Sequence, residues 1–286
     1  MDHIYSHVDD AYFDLVNLVL RYGSRRANRT GVESISYFAA NIKLDLQKGF
    51  PLLTTKQIHF KSVVEELFWF LRGETNVRSL QSRGVSIWDE WADENGYLGR
   101  IYGYQWRKWE AARWDKDASG FNVAHIDQIE EVIRALKSDR YSRRHVVSAW
   151  NVGDIFREEE DYRKPALPPC HMLFQFHVGE GTLNCSMVMR SADVGLGVPF
   201  NMASYALLTQ MIAQEVGLEP GLLHILMNDC HIYVNHLDGL AEQLTRDKFD
   251  MPTVAITRKQ FELLGSEDVN LVGYKHHPRI KLDIAK

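Results

Sequence analysis

The hydrophobic positions in three segments of the chain recur with the period of an amphipathic helix. Apolar residues spaced three or four positions apart predict helices over 12–22, 60–72 and 126–137. Gly23 and Gly73 directly follow the first two segments, and glycine commonly ends a helix. These helices are therefore expected to present one apolar face each to a core.

A second pattern, in which apolar residues recur at every second position, covers 172–178 and 183–189. The tetrapeptide GEGT separates the two runs, so the sequence predicts a β-hairpin. Helical spacing returns over 201–216, where Gly217 ends it, and over 231–244. Helices and strands thus both contribute to the predicted fold.

Polar stretches interrupt these elements. Residues 24–31, SRRANRTG, indicate a basic loop that contains Arg25, Arg26 and Arg29. Residues 107–125 are polar and irregular, which suggests a small appendage on a single domain spanning 1–286.

Composition narrows the class of protein. The chain has 286 residues, 45% of them hydrophobic, and a formal net charge of −5. This composition is typical of a globular fold. The negative net charge argues against general nucleic-acid binding, because such binding depends on clustered cations. Cys170, Cys185 and Cys230 form neither a disulfide framework nor a zinc motif. Asp9 and Asp10 stand where a signal peptide would need its apolar stretch, and no run reaches the ~18 apolar residues of a membrane span. We therefore expect a cytoplasmic protein without membrane contact.

Cys170 is a candidate nucleophile. Pro168 and Pro169 stiffen the backbone before it, and a strand begins after it. A reactive thiolate needs a nearby cation, and Arg190 follows the other strand of the predicted hairpin. The alternative is a buried, inert cysteine.

Glu66 is a candidate for proton transfer because it lies on a more apolar side of its helix than Glu65 does. Burial would raise its pKa and suit it to that role. The alternative is a glutamate at the helix edge whose carboxylate reaches solvent.

Three further segments carry polar or aromatic groups. Residues 142–144 and 190–191 combine serine with arginine, a chemistry that binds phosphate, although a solvated surface is the alternative. Residues 229–233, DCHIY, place polar groups at alternate positions, and the alternative is a histidine that is buried in a core. Trp88 and Trp91 suit either helix packing or the wall of a ring-binding site.

Eight longer phrases resemble segments of thymidylate synthases, in the same order and at the same spacing. The resemblance extends from Arg29 to about Lys281. The phrases are PLLTTK (51–56), EELFWFLRGETN (65–76), IWDEWADENG (87–96), YGYQW (102–106), SRRHVVSAWN (142–151), PPCH (168–171), RSADVGLGVPFNMASYALL (190–208) and DCHIYVNH (229–236). So many long matches exclude chance similarity.

The resemblance implies a fold and a reaction. The implied fold is α+β, with a large mixed β-sheet covered by helices and two subunits dimerising through that sheet. The implied reaction is reductive methylation of dUMP to dTMP, with 5,10-methylenetetrahydrofolate as co-substrate and no metal. Cys170 would add to C6 of uracil, and C5 would then attack the iminium form of the folate.

The resemblance also implies roles for individual residues. The implied catalytic residues are Cys170, Glu66, Tyr102, Arg190, Asp193 and His171. Those implied to bind dUMP are Arg29, Arg143, Arg144, Arg190, Ser191, Asp193, Asn201, His231 and Tyr233, with Arg143 and Arg144 crossing from the second subunit. Those implied to bind folate are His59, Ile87, Trp88, Trp91, Leu167, Asp193, Leu196, Gly197, Phe200 and Ala285.

Several features depart from the usual family pattern. Met189 stands where glutamine is usual, Asn228 stands where glycine is common, and the charged loop before Cys170 is longer. Lys286 replaces a small apolar residue that helps to close a lid over the folate. A wetter site favours water over hydride in the last step, so the alternative is a hydroxymethylase that makes 5-hydroxymethyl-dUMP. A binding protein without turnover is a weaker alternative, because the candidate cysteine, glutamate and arginines are all present.

Overall fold

The computed structural model describes residues 3–117, 119–158 and 160–285. The α-helices among these residues are α1 (Val8–Tyr22), α2 (Phe60–Leu71), α3 (Arg78–Ser82), α4 (Tyr102–Lys108), α5 (Gln128–Ser138), α6 (Val152–Ile155), α7 (Gly197–Val216) and α8 (Leu237–Leu244). The strands are β1 (Ser24–Arg26), β2 (Ser34–Asp45), β3 (Trp109–Asp115), β4 (Gly120–Ile126), β5 (Val146–Ser148), β6 (His171–Gly179), β7 (Thr182–Met189), β8 (Ala192–Asp193), β9 (Glu219–Tyr233), β10 (Thr253–Ile256) and β11 (Val269–Val272).

Seven of these strands form one large mixed sheet. Its order is β1-β2-β9-β7-β6-β5, and β8 also pairs with β9. β2 runs antiparallel to β9, whereas β7 and β8 run parallel to it. Helices α1 and α7 pack against the sheet, so the predicted α+β class and the large mixed sheet are confirmed. No helix in the described part of the chain is both long and apolar enough to cross a membrane.

The chain divides into two compact units. Val64–Gln175 form one unit, and the described residues before and after this segment form the other. The expectation of a single domain over 1–286 stays a prediction.

The β-hairpin predicted around GEGT is confirmed as β6 and β7. Glu180 and Gly181 connect the strands with φ angles of 52° and 79°, as the tight turns that suit twisted strands require. Along β7 alternate residues are buried, which gives its apolar positions to the core.

The helices predicted over 12–22, 60–72, 126–137 and 201–216 are confirmed as α1, α2, α5 and α7, with small shifts at their ends. α7 begins four residues early, at Gly197, and Pro199 suits its first turn because an amide hydrogen is not needed there. It ends at Gly217, whose φ of 68° is the left-handed conformation that glycine adopts readily.

Three sequence-based expectations are wrong. Residues 231–244 are not one helix, because β9 continues to Tyr233 through its ladder with β2 and α8 begins only at Leu237. The basic loop over 24–31 begins as strand β1, whose backbone pairs with β2. The appendage over 107–125 is not irregular, since β3 and β4 form an antiparallel hairpin.

Candidate active site

Cys170 is held at the start of β6 by a hydrogen bond to its backbone. Its amide donates to the hydroxyl oxygen of Tyr102 at 2.7 Å. Cys170 is half-buried, whereas Cys185 and Cys230 are buried, and burial raises the pKa of each of those two thiols to about 12. Of the three cysteines, Cys170 is therefore the one suited to react with a substrate.

The Tyr102 ring also stacks on the ring of His171. Their centroids lie 3.9 Å apart and their planes differ by 17°. Phe70 and Trp106 approach the same imidazole, each with a centroid separation of 6.3 Å. Burial in this aromatic cluster lowers the pKa of His171 to about 3, so the ring is neutral at physiological pH. It can exchange hydrogen bonds there but supplies no positive charge.

Glu66 lies in α2 with 9% of its surface exposed. Its Oε1 accepts a hydrogen bond from the indole Nε1 of Trp88 at 2.7 Å. Burial raises the pKa of Glu66 to about 7, although the indole hydrogen bond acts in the opposite direction. The reading of Glu66 as a solvated carboxylate at the helix edge is therefore wrong. A carboxyl group with this pKa can give and take a proton near neutral pH.

Trp88 connects Glu66 to the other aromatic residues of this unit. Its ring centroid lies 6.1 Å from that of Tyr102 and 5.7 Å from that of Trp91. Ile87, Trp91 and Leu167 are half-buried. A series of contacts through Tyr102 and Trp88 thus links Cys170 and His171 to Glu66.

In the other unit, Asp193 ends β8 and shapes the turn that leads into α7. Its Oδ1 accepts from the amides of Gly195 at 2.9 Å and Leu196 at 3.2 Å. The hydroxyl of Tyr12 donates to the carbonyl of Val194 at 2.9 Å. These bonds fix the turn that presents the first residues of α7.

Lys56 reinforces the same turn from inside the protein. It is 5% exposed, and its Nζ donates to the carbonyl oxygen of Gly195 at 2.7 Å. Burial lowers the pKa of Lys56 to about 8, while the negative charges of Asp193 and Asp9 oppose that change. This lysine is a contributor that the sequence analysis missed, and its only signal was its place in the phrase PLLTTK.

α7 carries four of the predicted binding residues in its first turn or directly before it. Leu196, Gly197, Phe200 and Asn201 are all half-buried. A Cβ at Gly197 would lie 3.7 Å from Oδ1 of Asn201. The helix therefore groups these residues beside Asp193.

His231 pairs across the sheet with Asp193, since these two residues are register partners of β9 and β8. Burial alone would lower the pKa of His231, but its interaction with Asp229 and the charge of Asp193 raise it. His231 in turn is the main cause that lowers the pKa of Asp229 to about 2. The ring of Tyr233 lies 5.1 Å from that of His231. Two of the predicted dUMP-binding residues are therefore neighbours on one strand.

Arg190 lines a cavity near the end of β7. The other residues that line it are Arg26, Ser36, Phe38, Asn228 and Asp229. Arg26 thus lines the same cavity as Arg190, whereas the resemblance implied Arg29 and Ser191 as dUMP-binding residues together with Arg190. Arg29 is exposed in the loop after β1, and Ser191 is half-buried.

Arg143, Arg144, His59 and Ala285 are the remaining predicted residues. Arg143 and Arg144 are exposed just before β5. His59 is exposed before α2, where its Nδ1 lies 2.7 Å from Oγ of Ser62. Ala285 is half-buried, and Lys286, to which a role in lid closure was attached, lies outside the described residues.

No cluster of three metal-ligating side chains occurs in the described ranges. A family model described as thymidylate synthase matches residues 10–286, nearly the whole chain. That family binds dUMP and uses methylenetetrahydrofolate as co-substrate. The fold, the match and the fixed Cys170 agree, and the chain belongs to the thymidylate synthase family.

Proposed function

We propose that this chain converts dUMP to dTMP by reductive methylation, with 5,10-methylenetetrahydrofolate as donor of both the one-carbon unit and the hydride. The observation that carries the proposal is the half-buried Cys170, whose amide is fixed by Tyr102. A nucleophile with a fixed backbone can attack repeatedly in one geometry. The family match supports dUMP and a folate as the substrates.

In this proposal, the Sγ of Cys170 bonds to C6 of uracil, and C5 then attacks the one-carbon unit. Glu66 transfers protons during these steps, because its pKa of about 7 makes both protonation states available. The neutral ring of His171 and the hydroxyl of Tyr102 help to organise water around the reacting base. Loss of the C5 proton and cleavage of the bond between the one-carbon unit and the folate nitrogen then leave an exocyclic methylene on C5 and free tetrahydrofolate. Hydride transfer from tetrahydrofolate to this methylene expels the Cys170 thiolate from C6, which gives dTMP and dihydrofolate.

Separate groups recognise the parts of the nucleotide. Arg29, Arg190 and Ser191 bind the 5′-phosphate through charge-assisted hydrogen bonds, and Arg26 is added to them because it lines the same cavity as Arg190. Asn201 pairs with O4 and N3–H of uracil, since a side-chain amide both donates and accepts.

His231 and Tyr233 hydrogen-bond the 3′-hydroxyl of the sugar. Their adjacent positions on β9 support this assignment, because one hydroxyl group can reach two neighbouring side chains.

The folate is assigned to a set of mostly aromatic and apolar residues. They are His59, Ile87, Trp88, Trp91, Leu167, Asp193, Leu196, Gly197, Phe200 and Ala285. Asp193 supplies a fixed carboxylate, and the indoles supply ring surfaces for stacking.

We further propose a cytoplasmic homodimer that forms through the large sheet. On β7 and β9, Val188, Leu222 and Leu226 face away from the core and remain partly exposed, and a second copy can cover them. Arg143 and Arg144 then reach the phosphate of the other subunit, which agrees with their exposure in a single chain.

One feature favours a second candidate, formation of 5-hydroxymethyl-dUMP. Met189 precedes Arg190 where the family usually has glutamine. The side chain of Met189 is buried, with 1% of its surface exposed. Both reactions share every step up to the exocyclic methylene intermediate, so the same residues serve both.

A covalent adduct tests the nucleophile directly. With 5-fluoro-dUMP and 5,10-methylenetetrahydrofolate, mass spectrometry is expected to find the adduct on the peptide that contains Cys170. Cys170→Ala should abolish the adduct while nucleotide binding remains, because phosphate contacts supply much of the affinity. An adduct on Cys185 or Cys230 would show that the wrong thiol was assigned.

A further inference from the structure

The ring of His236 lies between two segments that the proposed function assigns to folate binding. The side chain is completely buried, just before α8. Its Nε2 lies 2.8 Å from the carbonyl oxygen of Asp283, two residues before Ala285. Its Nδ1 lies 3.8 Å from Oδ1 of Asp193. One buried ring therefore touches the C-terminal segment and approaches the Asp193 turn.

The partner of Nε2 determines where the ring carries its proton. A carbonyl oxygen can only accept, so Nε2 of His236 donates to Asp283. In the neutral ring Nδ1 is then an acceptor, and among the described residues it has no hydrogen-bond partner. Asp193 does not supply one, because a carboxylate is also an acceptor and 3.8 Å is too long for a hydrogen bond. The hydrogen bond to Asp283 thus sets the orientation of this ring.

Close packing places the ring directly on the backbone of the Asp193 turn. A Cβ at Gly195 would collide with Nδ1 of His236, so only glycine leaves room for the imidazole. The turn beneath the ring is itself fixed, since Gly195 donates its amide to Asp193 and accepts from Lys56. The position of the ring is therefore set by a rigid support.

Helix α8 also helps to position the C-terminal segment. Leu282 is buried, and a Cβ at Gly239 of α8 would lie 2.7 Å from its Cδ2. The carbonyl of Asp283 also accepts a longer hydrogen bond, at 3.3 Å, from Nδ2 of Asn235. The bond from His236 is the shorter of these two and the one that connects the segment to the turn.

We propose that His236 is a positioning residue that aligns the C-terminal segment with the Asp193 turn, so that Asp193 and Ala285 bind the same reduced folate. The proposal rests on the proposed function, since that function assigns both residues to the folate. His236 does not touch the reacting atoms in this account. Its effect should therefore appear in folate binding and in the attachment of the C-terminal segment, and dUMP binding should not change.

Two substitutions separate the hydrogen bond from the volume of the ring. His236→Leu retains apolar volume but removes the donor, whereas His236→Gln keeps an N–H donor at a similar distance along the side chain. His277→Leu is a matched control, because Nε2 of His277 also lies 2.8 Å from a main-chain carbonyl, that of Asp247. Thermal unfolding first establishes that each variant is folded.

His236→Leu is expected to raise the KM for methylenetetrahydrofolate about 5- to 10-fold, the scale of one lost hydrogen bond, with the dissociation constant for dUMP unchanged. Release of the C-terminal residues by a carboxypeptidase, measured without substrates, should accelerate by a similar factor. His236→Gln should restore both values toward those of the parent, and His277→Leu should change neither.

Unchanged carboxypeptidase release in His236→Leu would overturn the proposal, and so would faster release with an unchanged folate KM. An equal loss of dUMP and folate binding would also overturn it, because that result indicates general damage. If the parent chain turned over no nucleotide at all, the proposed function would fail, and the digestion rates would still decide whether His236 holds the C-terminal segment.

Discussion

Replacing Glu66 by glutamine tests how burial controls the protonation of this carboxyl group. Burial raises the pKa of Glu66 from 4.5 to about 7, so the folded state holds this proton more tightly than the unfolded chain does. The resulting stabilisation is fully present below the unfolded pKa and is lost as the pH rises through about 7. Linkage between these two pKa values gives a loss of about 2 to 3 kcal/mol between roughly pH 5 and pH 8.

Glu66→Gln cannot titrate, and its amide oxygen can still accept the indole hydrogen bond of Trp88. Urea unfolding at roughly pH 5 and pH 8 should therefore show that the stability advantage of the parent over the variant falls by about 2 to 3 kcal/mol. Glu65→Gln is the control, since it removes the neighbouring carboxylate, which pairs with Arg83 at 3.2 Å, and keeps Glu66. A parent-to-variant difference that stays constant with pH would refute the reasoning.

Three further experiments test other parts of the account. Tyr102→Phe removes the acceptor of the Cys170 amide and should lower kcat about 10-fold with little change in nucleotide binding; an unchanged kcat would contradict this role. Asn201→Asp should shift the ratio of specificity constants from dUMP toward dCMP, because a protonated carboxyl matches cytosine; an unchanged ratio would remove Asn201 as the base reader. Inactive Arg143→Ala and Cys170→Ala proteins should regain activity when they are mixed and exchange subunits, because one site of the heterodimer then has both an intact cysteine and an intact partner arginine. Inactive heterodimers would instead indicate that each site is built from one chain.

The sequence predicts elements well where side-chain periodicity alone decides them. α2 and the β6–β7 hairpin are examples, because their apolar positions match the period of a helix and of a strand. Periodicity failed after residue 231, where His231 and Tyr233 are held in β9 by backbone pairing with β2 and β8. The partners in β2 lie about 200 positions earlier in the chain and those in β8 about 40, so no local pattern contains this pairing.

In the candidate site, too, some features follow from the local sequence and others depend on distant residues. The burial of Glu66 could be inferred from the apolar neighbours on its helix face. The bond between Tyr102 and Cys170 spans 68 residues, and the bond between His236 and Asp283 spans 47. Apart from its place in the phrase PLLTTK, Lys56 gives no local signal either, since a lysine bonded to a buried carbonyl differs from a surface lysine only in its tertiary surroundings.

The central claim, that this chain forms dTMP by reductive methylation, is tested most directly by its products. The unmodified protein is incubated with dUMP and 5,10-methylenetetrahydrofolate, the nucleotide is identified by mass spectrometry, and the oxidation state of the folate is followed by absorbance. We expect dTMP and dihydrofolate in equal amounts. Accumulation of 5-hydroxymethyl-dUMP with regeneration of tetrahydrofolate would contradict the claim.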